Sequence, residues 1–526
     1  MDPALFLRTV RHLKPGQVLN RLSRRWVPAP RLLAAPPVRS PGTRLAEPTP
    51  DRPISFLGDD RFLFLNQERR VPPEEWGVAR EDLLWDYTFH YFDGLLAPAP
   101  GVDAKRAWIR EWLARVPVGA APAWDAYPTS RRILNWVRWG LSEDGDLPED
   151  ALESLASQVR YLELTLEYHL LANHLLTNAM ALYAAGCFFG GDEGDGWLAR
   201  GRALLGRELG EQFLGDGGHF ELSPVYHALL LEDLLDVVQV ARATGVEPDA
   251  EMESTAGRAG TWLAALRRPD GRLPLFNDAA YGQGPEPAPL LAYAAAVLGG
   301  PVAEPLPGLT ALEPSGYFRY AEGRLFLLGD VGPPGPSYQP GHAHCDLLSF
   351  DLCWNGTPVI VDTGTSTYEV GDRRRQERGT AAHNTVQIGE LEQSEIWAGF
   401  RMARRAEVRR LDVAPERIEA GIKAFPRGWS QLERSWSFRG EGVEMVDRVL
   451  EAPSGEAVTA RLHLHPGVAL SGEGADWVAN GLHIRFEGAR AVRAVPYQYA
   501  PSFNQRIPAR CLEIRLGSEL RTRISP

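Results

Sequence analysis

The stretch LLSFDLCWNGTPVIV, Leu347 to Val361, reads as two apolar strands meeting at Asn355-Gly356, a dipeptide that accepts the positive φ angles of a tight hairpin turn. Around it, from about residue 315 onward, the chain breaks into short alternating segments punctuated by turn residues: 317–320, 325–328, 347–353, 358–361, 385–388 and 458–464. This is the pattern of an antiparallel β-sandwich or stacked sheets. Between about 80 and 300 the period is different, with apolar residues recurring every three or four positions between Gly/Pro breaks. Helices are predicted over 81–96, 105–115, 130–141, 149–172, 175–189, 196–214, 224–244, 250–266 and 289–297. With no strands between them, they imply helical hairpins packed as a bundle, a solenoid or a closed toroid. Helices first and sheets later give an α+β multidomain chain: an N-terminal extension over 1–55, a helical domain over 56–305 and an antiparallel β domain over 306–526. The extension carries many prolines and arginines around a short amphipathic start, Phe6 to Leu22, and reads as an arm wrapped on the body.

A chain of 526 residues exceeds what one hydrophobic core usually supports, in keeping with two large units. Its net charge of -12 argues against nucleic-acid binding, which needs a basic face to displace counterions. Lysine occurs only at 14, 105 and 423, and the remaining positive charge is arginine, as in chains from high-GC bacteria. Cys187, Cys345, Cys353 and Cys511 lack CxxC spacing and read as reduced, buried thiols. Arg8 and Arg11 interrupt the N-terminal apolar run, so no conventional secretory signal is expected; the chain would act in the cytoplasm or leave by another route. No apolar run approaches the roughly 20 residues needed to span a bilayer.

Chemistry-bearing residues gather in four places. Asn173 and His174 stand side by side in an apolar stretch, and a glycine-rich turn containing Glu221 leads to Pro224, where a helix should begin with Tyr226 in its first turn. There the helix dipole lowers the cost of a phenolate. A third group runs from His342 through His344, Asp346 and Asp362 to His383, a set suited to metal binding or acid/base work. A flat hairpin about Asn355-Gly356 would oppose Asp362 to Ser349, leaving it about 16 Å from His344. Residues 341–346 must therefore curl back, as the prolines at 333, 334, 336 and 340 permit. The fourth group is His90 with Tyr127, Arg131 and Arg132, where arginine forks and aromatic faces suit acidic sugars, although a purely structural role is equally open. By contrast, the His463-Leu464-His465 pair is followed by no comparable acidic or third imidazole partner and reads as structural.

In this order, NHL at 173–175, FELSPVYH at 220–227, GHAHCDLLSFDL at 341–352, VDTGT at 361–365 and TAAHNTV at 380–386 resemble the heparinase II/III family of polysaccharide lyases, and are also similar to the alginate lyases of that architecture. The resemblance implies an N-terminal incomplete (α/α) toroid followed by a C-terminal antiparallel β-sandwich. It implies β-elimination on uronic-acid-containing polysaccharides, glycosaminoglycans first and alginate-like polyuronates second. It assigns Asn173 and His174 to neutralising the uronate carboxylate and Tyr226 and His342 to moving protons, with Tyr226 serving both roles in a syn elimination and His342 as base in an anti elimination. His344, Asp362 and His383 are implied to hold a divalent metal, zinc or manganese, in a mainly structural role. Candidate substrate-binding residues are His90, Tyr127, Arg132, Glu221 and Arg378, and the expected partner is an anionic polysaccharide. The rivals are a metal-dependent glycoside hydrolase using Glu221 or Asp346, and a carbohydrate-binding or assembly protein of polysaccharide biosynthesis without turnover.

Overall fold

The computed structural model describes residues 2–39, 45, 50, 52–143, 145–424 and 430–526. Two short helices, α1 (Pro3–Val10) and α2 (Pro15–Ser23), form the start of the chain. A small antiparallel sheet follows, β1 (Phe56–Gly58), β2 (Arg61–Phe64) and β3 (Gln67–Arg70), which the helical period had not announced. Its Phe62 is fully buried against Phe89 and Trp76, so the sheet serves as a lid on the first helices.

The helical body consists of α3 (Leu83–Phe89), α4 (Val102–Arg115), α5 (Ala126–Leu141), α6 (Glu149–Thr165), α7 (Ala172–Phe188), α8 (Gly191–Gln212), α9 (Pro224–Ala243), α10 (Ala250–Leu266) and α11 (Pro287–Leu298). Helices α5, α7 and α9 are buried over almost their whole length and pack in sequence against one another, while α6, α8 and α10 lie outside them with exposed outer faces. Alternating inner and outer helices in an arc make an incomplete (α/α) toroid. A helix that is apolar all round is stable only where neighbours cover every face, and α7, with Leu175, Leu176, Met180 and Tyr183 fully buried, has that composition.

One expected helix is broken. The predicted 149–172 segment ends at Thr165, and α7 begins only at Ala172 after Leu171 and Ala172 take positive φ angles of 62° and 51°. Neither residue favours that region, and such conformations persist only where surrounding contacts over-determine them. Here Asn178 Oδ1 accepts from Glu167 N (2.8 Å) and Gln212 Nε2 donates to Ala172 O (3.0 Å).

The β half begins with a five-stranded sheet, β4 (Gly308–Leu312), β5 (Tyr317–Glu322), β6 (Leu325–Asp330), β7 (Phe350–Trp354) and β8 (Thr357–Ile360), paired in sequence order. The β7–β8 hairpin turns at Asn355-Gly356 as predicted, but a bulge between Leu352 and Cys353 shifts the register by one. A short helix, α12 (Asp372–Arg378), and the strands β9 (Val386–Ile388), β10 (Ile396–Trp397) and β11 (Arg401–Met402) follow. The large sheet contains β12 (Glu407–Ala414), β13 (Arg417–Ala424), β14 (Ser430–Arg439), β15 (Gly442–Glu451), β16 (Val458–His463), β17 (Leu470–Glu473), β18 (Asp476–Ala479), β19 (Leu482–Tyr499) and β20 (Ile507–Ser525). Its order is β12-β13-β14-β15-β20-β19-β18-β17, with β16 joining β20 to β9. The two sheets face each other across one apolar layer: Phe318 lies 5.0 Å from Trp436, and Tyr320 stacks on Phe438 at 4.2 Å. The four cysteines are buried and free. Among the described residues no helix is long and apolar enough to cross a membrane.

Arg434 of β14 is buried between the sheets, where it grips Asp447 (2.6 and 3.0 Å) and donates to the Leu348 and Asn384 carbonyls. It thereby anchors both loops that flank the histidine cluster. Asp447→Ala should lower stability by about 3 kcal/mol or more, since it strands a buried guanidinium. An unchanged midpoint in urea unfolding followed by tryptophan fluorescence would show that the pair is not a structural anchor.

Candidate active site

The loop between α10 and α11 carries Asn277 and Asp278 into the junction of the two halves. Asn277 has a positive φ of 56°, and its Oδ1 accepts from His344 N (2.9 Å) while its Nδ2 donates to Leu222 O (3.1 Å). Asp278 N donates to His342 O (3.0 Å). The loop holding His342 to Asp346 is thus laid on the helical body by backbone-level bonds and curls back from the sheet, as the hairpin geometry requires.

The Asp278 carboxylate is the hub. Its Oδ2 is 3.0 Å from His342 Nδ1, its Oδ1 is 2.9 Å from His344 Nε2, and the Arg374 guanidinium of α12 clamps it (Nη2 to Oδ2 2.7 Å). Burial opposes its charge, but Arg374 and the two histidines outweigh that and hold its pKa well below the ordinary range. An ionised carboxylate only accepts, so His342 carries its proton on Nδ1 and His344 carries its proton on Nε2. The lone pair of His342 Nε2 then accepts only a long hydrogen bond from Asn173 Nδ2 (3.4 Å), and the side chain is partly exposed.

Asn173 and His174 occupy the first turn of α7. Asn173 Nδ2 donates to both oxygens of Glu221 (3.1 and 2.8 Å). His174 Nδ1 sits 3.2 Å from Glu167 Oε1, its ring lies 4.6 Å from Tyr127, and its side chain is 29% exposed. Burial disfavours its charge, yet the Glu167 carboxylate prevails and raises its pKa. Glu167 is in turn oriented by Asn178 Nδ2 (3.1 Å).

Tyr226 lies in the first turn of α9, which starts at Pro224 behind an Ser223 N-cap that bonds Tyr226 N (3.4 Å). Its ring is 4.0 Å from that of His342, and its hydroxyl is 3.2 Å from the Tyr368 hydroxyl. Burial, with Tyr368 adding to it, pushes the Tyr226 pKa well above its usual value, so the phenol is protonated at rest. Chemically the arrangement offers a cation-capable imidazole and an amide on one wall, and beside them a basic ring nitrogen and a phenol.

The structure brings Asn173, His174, Tyr226 and His342 together, with Tyr127 and Glu221 as neighbours. It corrects three other expectations. Arg132 is fully buried, donates to the His90 and Ala123 carbonyls (3.1 and 2.9 Å) and to Gln158, and lies over Trp112. His90 is buried against the same tryptophan, whose Nε1 donates to its Nδ1 (3.1 Å). Arg378 is spent on the carbonyls of Ala343 and Gly399 (3.0 Å each). These residues hold loops together and do not present donors to a ligand. Arg131 likewise pairs with Asp93 and Asp233, and Asp346 accepts from Asn277 N, which removes it as a free acid. Sequence reasoning missed Glu167, Asp278, Tyr368 and Arg374; the acidic residue after Phe276-Asn277 in an otherwise apolar, Gly/Pro-bracketed segment was the signal available for Asp278.

His344 and His383 are neighbours, 5.4 Å between ring centroids, and His383 Nδ1 donates to Asp362 Oδ2 (2.7 Å). Among the described residues no three His, Cys, Asp or Glu side chains converge as a metal site. However, His344 Nδ1 and His383 Nε2 are buried with no hydrogen-bond partner. Burial lowers the His344 pKa to about 4, so that ring is neutral and its orphan Nδ1 is a lone pair. At His383 burial is outweighed by the Asp362 carboxylate, which raises the pKa, and Nε2 offers a lone pair once that proton is lost. Imidazoles oriented by carboxylates through the far nitrogen are the usual donors to zinc, so the donor set fits a divalent cation.

Residues 143–286 match the Heparinase II/III N-terminus, and residues 304–523 match the C-terminal Heparinase II/III-like domain, together well over half of the chain. The chain belongs to the heparinase II/III family. Within it, a heparin-sulfate lyase of Bacteroides stercoris is 27% identical over 253 residues, which is 43% of this chain and only 37% of that relative. Among solved structures, heparinase III superposes with a TM-score of 0.66 at 17% identity, covering 86% of this chain and 79% of the other. The heparan sulfate lyase of Pedobacter heparinus gives 0.57 at 16%, covering 93% and 86%. Likeness at such identities establishes the shared toroid and sandwich fold.

Glu167→Gln would leave burial opposed only by the more distant Glu221 carboxylate, and should move the His174 titration down. The sign follows from linkage: a pKa raised in the folded state gives stability that is complete below the unfolded value and is lost as pH rises through the folded one. NMR titration of the His174 ring in both proteins reads this directly, and an unmoved His174 would show that Glu167 does not hold its proton.

Proposed function

We propose that this protein is a polysaccharide lyase that cleaves uronic-acid-containing chains, glycosaminoglycans foremost, by β-elimination. The observation that carries the reading is the contact of His342 with Tyr226, one imidazole oriented by Asp278 and one protonated phenol, beside Asn173 and a His174 that favours its charged form. The names of the relatives, heparin-sulfate lyase and heparinase III, support the glycosaminoglycan class.

The C5 proton of a uronate is weakly acidic, so the carboxylate must first be stabilised as it takes on enolate character. His174, with its proton held by Glu167, and the Asn173 amide supply charge and a donor for that purpose. His342 Nε2 then accepts the C5 proton while its Nδ1 proton stays on the Asp278 hydrogen bond. The Tyr226 phenol donates to the departing O4 oxygen. This division, base and acid on different residues, fits the resting protonation states better than Tyr226 in both roles. Elimination leaves a C4–C5 double bond in the new terminal uronate.

Incubation with hyaluronan, chondroitin sulfate, heparan sulfate and alginate should give ultraviolet absorbance of unsaturated uronate with at least one glycosaminoglycan. New reducing ends without that chromophore would overturn the lyase reading in favour of hydrolysis. His342→Ala and Tyr226→Phe should each lower kcat by about 10²- to 10⁴-fold, the span usual for loss of a general base or acid.

The proposal extends to a divalent cation, zinc foremost, at His344, Asp362 and His383 as a structural brace, with His344 Nδ1 and His383 Nε2 as the available donors and Asp362 orienting His383 unless it turns to join them. A bound cation there would tie the His344 loop to the Asp362 and His383 segments, behind the catalytic His342. His344→Ala should then lose most of the metal found by elemental analysis of the wild type, with a lower thermal midpoint. Equal metal content in the two proteins would remove the brace.

A further inference from the structure

Helices α1 and α2 lie across the opening between the two halves. At one end, Arg8 Nε donates to Glu395 Oε2 (2.9 Å), and Trp397 Nε1 donates to Thr9 Oγ1 (3.0 Å), both partners belonging to the β half. At the other end, Gln17 Nε2 reaches His169 O (3.4 Å), Arg24 Nη1 reaches Thr165 O (2.5 Å), and Lys14 pairs with Glu211, all in the helical half. Between these anchorages the Lys14 ammonium sits 3.8 Å over the Tyr338 ring, which contacts Phe220 (6.1 Å).

Each anchorage is a few residues from the candidate catalytic groups. Trp397 lies on the β10–β11 hairpin whose Phe400 packs on His342 at 5.9 Å. Thr165 and His169 flank Glu167, the partner of His174. Phe220 precedes Glu221, the partner of Asn173. One strap therefore touches both walls of the cleft beside the reacting centre, and a polymer entering that side meets it.

Between α2 and the loop after α6 lies an open, largely apolar depression of about 620 Å³, lined by Leu19, Leu171 and Tyr168 with Gln17 and Asn20 among its polar groups. Its wall on the body side is the loop that leads directly into Asn173 and His174. The Oδ1 of Asn20 is buried with no hydrogen-bond partner, as is Nδ1 of His169, whose carbonyl holds Gln17. A buried acceptor left without a donor costs free energy, which a ligand hydroxyl would recover. The apolar faces of Leu19, Leu171 and the Tyr168 ring suit the face of a sugar ring, and the Gln17 and Asn20 amides suit its hydroxyls.

We infer that α1 and α2 close one mouth of the cleft and that the depression between α2 and the loop leading to Asn173 receives the terminal sugar of the chain, so that the enzyme works from a chain end. The inference rests on the lyase reading for its substrate class and refines it from cleavage anywhere along the polymer to exolytic action.

Two measurements test it, the first independent of turnover. Oligosaccharides from the same four polysaccharides, with free ends or with one end or the other carrying a bulky tag, are titrated into Tyr226→Phe protein by tryptophan fluorescence. Tagging the end that enters the depression should weaken binding by about tenfold or more. Asn20→Ala should weaken the untagged ligand, and Arg8→Ala with Thr9→Ala should restore binding of the tagged one. Binding indifferent to both tags, or no binding of any oligosaccharide, overturns the inference. The second measurement is the product profile of the wild type on whichever polymer yields the chromophore. Short products from the first time points, with slow loss of viscosity, are expected, and a broad ladder with rapid loss overturns it. Absence of the chromophore on all four polymers would count against the lyase reading, while the binding series would still decide the strap.

Discussion

Everything at the junction of the two halves hangs on one buried carboxylate. Asp278 belongs to the helical half, yet its oxygens are shared by His342 and His344 from one β-side loop and by Arg374 from α12. A carboxylate this deep is tolerable only with full compensation, and here a guanidinium and two imidazoles supply it. In exchange it sets the tautomers of two histidines with different jobs. One presents its lone pair to the Asn173 amide; the other has a buried, unpartnered nitrogen in a ring beside His383.

The same economy recurs one layer out. Glu221 orients Asn173 and Glu167 orients His174, so each group that would meet a uronate carboxylate is backed by a buried acid from the helical half. Both acids are buried and hydrogen-bonded to these neighbours. Several arginines whose chemistry suits anionic sugars are used in the same structural way: Arg131 and Arg132 inside the toroid, Arg378 under the His342 loop and Arg434 between the sheets. The cleft is thus less basic than a count of arginines near the motifs suggests, and the groups gathered at it are imidazole, amide and aromatic side chains.

Backbone strain marks the same region. Leu171, Ala172, Leu222, Asn277 and Leu348 all take positive φ angles, and each lies within a few residues of a group in or beside the site. None is glycine, so each conformation costs free energy that the surrounding bonds offset. Asn173, which follows Ala172, and Tyr226, which follows Leu222 and its Ser223 cap, owe their direction to these turns.

What the sequence determined by itself was whatever depends on local period and turn chemistry. The change from a helical period to alternating strands near residue 315, the Asn355-Gly356 hairpin and the Pro224 start of α9 are local signals, and each is realised in the structure. The ordered motifs also marked Asn173, His174, Tyr226 and His342, because those residue types stand out against apolar surroundings. Only the tertiary structure decided the rest. The break between α6 and α7 has no glycine or proline to announce it and exists because Asn178 and Gln212 reach in from elsewhere in the helical half. Arg132, His90 and Arg378 looked like ligand contacts because sequence reports residue type and not which face a side chain turns inward. Asp278 was invisible as a hub because its partners lie 64 to 96 positions away, a separation that no local period encodes.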